Sequence, residues 1–226
     1  MINIKIHGAS FSSGKAIGKA FLLNEDNEFI VPKYISSFDL EQARLGQAIQ
    51  SLELEISQFK ELSLSGLNKE TTHILNSYKM VLRNPELLKQ TLLKIKNKSL
   101  NAEWALNNTA EQFIATSETN TTILRDVTSN LIYRLLKKKK MAIESMKEPV
   151  ILVTRNLSLI QLLSMNPKNI LGIIIELEEI SKYVVGLIRS LAIPAISTLQ
   201  KIPSIIKSGD QIILDADEGS IVINNG

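Results

Sequence analysis

Cysteine is absent from the 226 residues, histidine occurs only twice, and aromatic side chains make up 5% of the chain. Without cysteine there is no disulfide framework, no thiolate metal site and no cysteine nucleophile. The histidines, His7 and His73, lie far apart in the sequence. A histidine-based metal cluster is therefore not expected either.

A long hydrophobic run is also missing. The longest uncharged run, residues 156–167, falls well short of the roughly 18–20 apolar residues that a membrane span needs. The opening residues, Met1 to Lys5, lack the apolar segment of a signal peptide. We therefore expect a cytoplasmic protein with no membrane partner.

Neither sign of charge dominates, because 26 basic residues stand against 23 acidic ones. The basic run Lys137–Lys140 is typical of a helix end, where cations suit the negative end of the helix dipole. No aromatic residue interleaves with these lysines to stack on bases. We therefore expect no nucleic-acid partner.

Residues 36–145 carry the pattern of helices. Apolar side chains recur at steps of three and four and so share one helix face: Leu45, Ile49, Leu52, Ile56 and Phe59. Ser36, followed three residues later by Asp39, resembles a capping box, and Asn84–Pro85 supplies an N-cap before a helical proline. We expect a helical bundle.

The rest of the chain carries the pattern of strands. Residues 1–35 are divided by glycines and a proline, and after Pro149 short β-branched runs alternate with segments that fit helices. Residues 211–215 and 220–223 predict a hairpin. Because a lone hairpin is marginal in water, the opening strands are expected to complete the C-terminal sheet. The predicted domains are an α/β domain, residues 1–35 and 146–226, and a helical insertion, residues 36–145.

Five segments resemble, in the same order, the N-terminal half of enzyme I, the phosphoenolpyruvate-protein phosphotransferase of the bacterial sugar phosphotransferase system. They are Ser12–Ala20, Leu100–Ala105, Arg125–Val127, Pro149–Val153 and Arg189–Ala195. The first resembles the family opening S-P-G-I-A-I-G-K-A. The resemblance implies an α/β swivelling phosphohistidine domain with a large inserted all-helical domain, which in the family docks the histidine phosphocarrier protein HPr.

The chain departs from the family at the active segment G-G-[RK]-T-S-H-T-A-I, whose histidine carries phosphate. Counting back from Arg189 without gaps, Tyr183 stands in place of that histidine, and Glu178 and Glu179 replace the paired glycines. A phenol with a pKa of about 10 needs a general base, whereas imidazole, with a pKa of about 6.5, is a ready nucleophile at neutral pH. We expect Tyr183 to be a packing residue at a helix start capped by Ser181.

The docking face is also changed. Where a family helix reads I-F-E-G-H-I-M-L-L-E-D, residues 74–84 have lost three acids and a histidine. The partner-binding residues that the resemblance implies are Glu70, Tyr78, Met80, Val81, Asn84, Leu87 and Arg125. Complementary charge mainly sets the encounter rate, so an HPr with a basic surface should be steered less well.

Three functions are open at this point. The first is a pseudoenzyme, an enzyme I-like domain that binds a partner or regulates but carries no phosphate. The second is a phosphotransferase fragment that passes phosphate to HPr through an atypical residue, and the third is a structural domain with an unrelated partner. The family continues into a phosphoenolpyruvate-binding barrel that uses Mg²⁺. We therefore expect no cofactor in this chain, and the barrel would be a further partner if the chain is part of a longer protein.

Overall fold

The computed structural model describes residues 3–23, 30–63, 69–116, 121–136, 148–176, 180–199, 201 and 205–224. The chain divides into two compact units, Met1–Asn27 with Lys140–Gly226, and Glu28–Lys139. The first unit combines strands and helices, and the second is helical. The helical unit interrupts the chain between the third and fourth strands.

The first unit contains the strands, and the helices are shared between the two units. The strands are β1 (Asn3–His7), β2 (Ala9–Ser12), β3 (Lys15–Leu23), β4 (Val150–Thr154), β5 (Ile170–Ile175), β6 (Ala195–Ser197), β7 (Gln211–Asp215) and β8 (Ser220–Asn224). The helical unit contains α1 (Phe38–Ser63), α2 (Lys69–Leu82), α3 (Pro85–Lys98), α4 (Ala102–Thr116) and α5 (Thr121–Leu135). The first unit also contains α6 (Leu159–Ser164) and α7 (Lys182–Ser190).

The strands form one eight-stranded sheet in the order β1-β8-β7-β3-β4-β5-β6-β2. Strands β3, β4, β5 and β6 are parallel to one another, and the remaining pairs are antiparallel. Each of the first three strands pairs with a strand from the C-terminal part of the chain. This confirms that the opening strands complete the C-terminal sheet, and β7 with β8 forms the predicted hairpin.

The two ends of the sheet meet at Gly8. Strands β1 and β2 lie at opposite ends of the strand order, yet only Gly8 separates them in the chain. The sheet therefore curls until its two edge strands join at Gly8. The Gly8 N–H donates to Gly219 O at 3.0 Å. A Cβ on Gly8 would lie 2.2 Å from Ser197 O, so only glycine fits there.

The core of this unit lies inside the closed sheet. Alternate residues of every strand except β2 contribute to one apolar cluster, as expected from the two-residue period of a strand. Its strand members are Ile6, Ala16, Ala20, Ile151, Val153, Ile174, Ile196, Ile212, Leu214, Ile221 and Ile223. The opposite face of β4 and β5 is also buried, at Leu152, Ile173 and Ile175. Burial on both faces explains why β4 and β5 are continuous apolar runs, whereas burial alternates along β7 and leaves Ile213 39% exposed.

The helical unit follows the predicted stripe and one of the two predicted caps. Leu45, Leu52, Ile56 and Phe59 are buried and Ile49 is half-buried. The Asn84 side chain caps α3, because it accepts hydrogen bonds from the N–H groups of residues 86 and 87. The predicted capping box at Ser36 is wrong. Helix α1 begins at Phe38, and Ser37 Oγ accepts the N–H of Leu40 at 3.4 Å.

A polar network holds the helices together where the chain enters and leaves this unit. Arg44 on α1 donates to Glu41, to Glu103 on α4 and to the carbonyl of Leu135, the last residue of α5. Burial opposes the charged form of Arg44, but its hydrogen bonds to Glu41 and Glu103 outweigh that effect and raise its pKa. Because Glu41 and Glu103 are buried, removing Arg44 would leave two carboxylates without their cation.

The same network fixes the connecting segment before α1. Asn101 donates to Glu103 and accepts the N–H of Lys33 at 2.8 Å, and Asn101 N–H donates to Lys33 O at 2.9 Å. The N–H of Ala102, at the start of α4, is satisfied by Glu41 at 2.8 Å. One set of hydrogen bonds therefore anchors two places, Lys33 in the segment before α1 and Leu135 at the end of α5.

Gly46 lies in the middle of α1 and allows the stability of this helix to be tested. It is exposed in the middle of the helix, and a Cβ there would meet nothing within 4 Å. Because glycine in a helix interior is less favourable than alanine by about 1 kcal/mol, Gly46→Ala should raise the free energy of unfolding by about 0.5–1 kcal/mol. Urea unfolding followed by the fluorescence of Trp104, the only tryptophan, measures the helical unit.

The control for this test is Gly8→Ala, in which the new methyl group has no room beside Ser197. It should lower stability, as followed by circular dichroism. A Gly46→Ala variant that is no more stable than the parent chain would contradict the open environment described for this position.

Candidate functional site

The carboxyl ends of β4, β5 and β6 meet at one edge of the first unit, because these strands are parallel. Such an edge is where ligands bind in many α/β proteins. Arg155 follows β4 and Glu176 follows β5, and their side chains lie 3.9 Å apart, from Arg155 Nε to Glu176 Oε2. Thr198 follows β6, and its N–H donates to Ile175 O at 2.9 Å. The edge thus presents a loose ion pair and a buried threonine.

Helix α7 begins at this edge, and Tyr183 lies in its first turn. Tyr183 is half-buried, and the ammonium group of Lys182 lies 5.1 Å from the centre of its ring. Ser181 occupies the N-cap position but makes no side-chain capping bond, so the predicted cap by Ser181 is wrong. Glu178 and Glu179 lie outside the described residues.

One histidine lies near this edge. His7 is the last residue of β1, and it is exposed. The following residue, Gly8, lies against Ser197, the last residue of β6. Helix α7 returns along β2, since Arg189 near its end donates to Phe11 O at 2.7 Å. His7 therefore lies towards the same edge as Tyr183, an arrangement that the sequence analysis missed because the two are distant in the chain.

The other histidine, His73, is exposed on α2 in the helical unit. The described residues contain no group of three or more His, Asp or Glu side chains that could hold a metal ion. In the same part of the chain, no helix is long and apolar enough to cross a membrane.

The predicted docking residues fall into buried and exposed groups. Tyr78 and Leu87 are each 1% exposed, so neither can contact a partner directly, and this corrects their assignment. Tyr78 instead donates a hydrogen bond to Asp126 on α5 at 2.6 Å. Its position in the apolar stripe of α2, with Ile74 and Leu82, already indicated burial. Val81 is half-buried against the cluster that contains Leu87.

The remaining predicted docking residues lie nearer the surface. Met80 is 76% exposed on α2. The Asn84 side chain is occupied as the cap of α3, and Arg125 forms an exposed ion pair with Glu111 at 3.1 Å. Glu70 lies in α2, but its side chain is outside the described part of the structure. Met80 is therefore the apolar side chain of this set that is open to a partner.

An exposed leucine that the sequence analysis did not select accompanies Met80. Lys79 donates to Ser57 Oγ at 2.9 Å, and Arg83 pairs with Glu53, so these residues of α1 and α2 lie at the same level. Leu54 follows Glu53 on α1 and is 58% exposed. We call Leu54 and Met80, with the Glu53–Arg83 ion pair, the α1–α2 surface.

The chain thus combines an α/β unit with a helical unit inserted between its strands. In the α/β unit, helix α7 begins at the carboxyl edge of the parallel strands. Comparison with family models identifies the class of protein that has this architecture. The chain belongs to the PEP-utilising enzymes: residues 7–125 match the model of the N-terminal domain of these enzymes, and residues 146–219 match that of their mobile domain.

Curated relatives and solved structures agree with this assignment. The chain is 28% identical over 227 residues to the phosphoenolpyruvate-protein phosphotransferase of Geobacillus stearothermophilus, covering 97% of this chain and 39% of that protein. The Bacillus subtilis (strain 168) enzyme is also 28% identical, over 228 residues, with 97% and 40% covered. The chain thus spans about two fifths of the length of these relatives.

A solution structure of Enzyme I matches with a TM-score of 0.79 at 29% identity, covering 98% of this chain and 93% of that chain. The chain is therefore similar to the N-terminal domain of enzyme I along nearly its whole length. The structure of the N-terminal domain of Enzyme 1 - Nitrogen shares the fold, with a TM-score of 0.65 at 21% identity, covering 96% of this chain and 93% of that chain.

The burial of Tyr78 can be tested against the exposure of Met80. Removing the Tyr78 hydroxyl group takes a hydrogen-bond donor away from the Asp126 carboxylate. Tyr78→Phe should therefore lower the free energy of unfolding by about 1–2 kcal/mol. Met80→Ser should change it by no more than about 0.5 kcal/mol, because the side chain is exposed. Urea unfolding followed by Trp104 fluorescence measures both, and equal effects would contradict the assignment.

Proposed function

We propose that the chain is an enzyme I-like module of the phosphotransferase system that binds an HPr-type phosphocarrier but does not carry phosphate on α7. It would act as a pseudoenzyme with a binding or regulatory role. The observation that supports this most strongly is that Tyr183 occupies the first turn of α7, where the family resemblance expects a phosphohistidine.

The surroundings of Tyr183 do not favour phosphoryl transfer. A phenol becomes a strong nucleophile only when a base removes its proton, whereas the ring of Tyr183 has the cation Lys182 over it. A phosphotyrosine would be an ordinary phosphate ester and thus a poor donor to a histidine. The residues at the start of α7 therefore argue against phosphoryl transfer through Tyr183.

The partner would contact the α1–α2 surface through Leu54 and Met80. Beside them Arg83 is paired with Glu53, and the ammonium group of Lys79 donates to the neutral hydroxyl group of Ser57. These charges offer a basic partner little electrostatic steering. We therefore expect weak binding that depends on apolar contact and changes little with salt.

His7 supports a second candidate function, a phosphotransferase fragment with an atypical acceptor. Its position towards the edge where α7 begins places an imidazole in the same part of the first unit as Tyr183. An exposed imidazole is a competent nucleophile at neutral pH. In that case the phosphorus would form a bond to an imidazole nitrogen as its bond to the donor nitrogen of phospho-HPr breaks.

Transfer from radiolabelled phospho-HPr separates these two functions. The pseudoenzyme predicts no label on the chain, while an active enzyme I N-terminal domain in the same experiment becomes labelled. Acid-labile label that disappears in His7→Ala but persists in His73→Ala would instead establish the second function. Acid-stable label that is lost in Tyr183→Phe would show a dead-end phosphotyrosine and would contradict both.

Docking at the α1–α2 surface can be tested by a substitution of Met80. Met80→Ser removes the exposed apolar side chain and should weaken binding of HPr by about fivefold or more, as measured by calorimetry. Leu40→Ser is a matched control, because Leu40 is 65% exposed on α1 but belongs to the first turn of that helix. Equal losses in the two variants would argue against docking at the α1–α2 surface, as would affinity that falls steeply with salt.

A further inference from the structure

The segment before α1 forms a short antiparallel ladder with the connection between α3 and α4. Tyr34 pairs with Leu100, and the hydrogen bonds beside this pair run from Ile35 N–H to Ser99 O at 3.0 Å and from Asn101 N–H to Lys33 O at 2.9 Å. In an antiparallel ladder, a pair flanked by such bonds makes none of its own across the ladder. The backbone N–H and C=O of Tyr34 therefore point to the opposite side.

The side chain of Tyr34 is equally open. It is 89% exposed, and the side chain of Val31, three residues earlier in the same segment, is 49% exposed. Both side chains belong to a segment in which the N–H and C=O of Tyr34 make no hydrogen bond to the connection between α3 and α4. An extended polypeptide can add to such an edge through main-chain hydrogen bonds, with side-chain contacts giving selectivity.

Lysines lie in the ladder itself and on α3, the helix that leads into it. Between Lys89 and Lys98 helix α3 carries four lysines and no carboxylate. The ammonium group of Lys96 lies 5.9 Å from the centre of the Phe38 ring, and that of Lys98 lies 5.4 Å from the centre of the Trp104 ring. Lys33 is exposed in the ladder itself. We call Lys33, Tyr34, Lys96 and Lys98 the Tyr34 surface.

Two carboxylates near these lysines in the sequence do not neutralise them, because Glu41 and Glu103 are buried and bound to Arg44. Asp39 is exposed in the first turn of α1, and it offsets only part of the charge of Lys33, Lys96 and Lys98. Burial and then repulsion from Lys98 lower the pKa of Lys94, which is a further sign of accumulated positive charge. The Tyr34 surface therefore carries a net positive charge beside an apolar, strand-like edge.

We propose that the Tyr34 surface binds an extended acidic segment of a partner protein. Carboxylates of that segment would pair with Lys33, Lys96 and Lys98, and its backbone would pair with that of Tyr34. A single-stranded nucleic acid fits less well, because lysines lie against the Phe38 and Trp104 rings on which bases would stack. The surface is separate from the α1–α2 surface, so the two binding experiments are decided independently.

The probe is a fluorescein-labelled ten-residue peptide of alternating glutamate and valine, and binding is followed by fluorescence anisotropy at low ionic strength. A peptide with glutamine in place of glutamate should bind at least about tenfold more weakly. Binding should also weaken as salt screens the lysines. Because Lys98 lies over the Trp104 ring, an unlabelled peptide should change the emission of Trp104, the only tryptophan.

Variants locate the site. Charge reversal at Lys96→Glu with Lys98→Glu should lower affinity at least about tenfold, and Tyr34→Ser should lower it by a smaller factor. Lys207→Glu reverses an exposed lysine of the other unit and should have no effect. Unchanged circular dichroism would show that the variants are folded.

Three results would overturn the proposal. One is the absence of peptide binding to the parent chain, and another is equal loss of affinity in the Lys207→Glu control. The third is tighter binding of an oligothymidylate of similar length than of the acidic peptide, which would show that the surface binds phosphates rather than carboxylates.

Discussion

The α/β unit depends on a steric constraint at Gly8. At this residue the chain passes from one edge of the sheet to the other, so close to Ser197 and Ile196 that a side chain has no room. The contact closes the sheet, and the closed sheet encloses the apolar cluster. It also brings strands from the two ends of the chain together. The helical unit can therefore interrupt the chain without dividing the sheet.

The helical unit has a corresponding constraint in the Arg44 network. One guanidinium group joins α1, α4 and the end of α5, and Asn101 extends the network to Lys33. Groups near Lys33 and Leu135 are thus held by buried and part-buried hydrogen bonds, which are stronger in a network than singly. Both anchored positions lie close in sequence to the boundaries of the helical unit.

The candidate site combines the scaffold of the family with a tyrosine in the first turn of α7. The parallel strands, the helix α7 that begins at their edge and the family assignment are all present, but Tyr183 stands where the resemblance expects the phosphohistidine. Strands and helices are stabilised by the burial of apolar side chains, which does not require a nucleophile at the helix start. The fold therefore defines the family, while the chemistry of the site has to be argued from its own residues.

Much of this could be predicted from the sequence because its patterns are local. The apolar stripe of α1, the Asn84 cap and the β-branched runs of β4 and β5 depend on residues within a few positions of one another. The family resemblance similarly depends on short ordered motifs. The start of α1 was predicted less well, because Ser36 and Ser37 are equally suited to a cap and only the backbone selects Ser37.

Contacts between distant parts of the chain were decided only by the tertiary structure. Tyr78 was expected to face a partner, but its hydroxyl group is buried because α5 supplies Asp126, which is 48 residues away. His7 lies towards the edge where α7 begins because the sheet closes at Gly8, and the backbone groups of Tyr34 point away from Leu100 because of the register of that pair. The sequence by itself determined the family and most of the elements, since these follow from ordered motifs and short-range periodicity. The burial of Tyr78 and the position of His7 depend on contacts between distant parts of the chain, and no local pattern encodes such contacts.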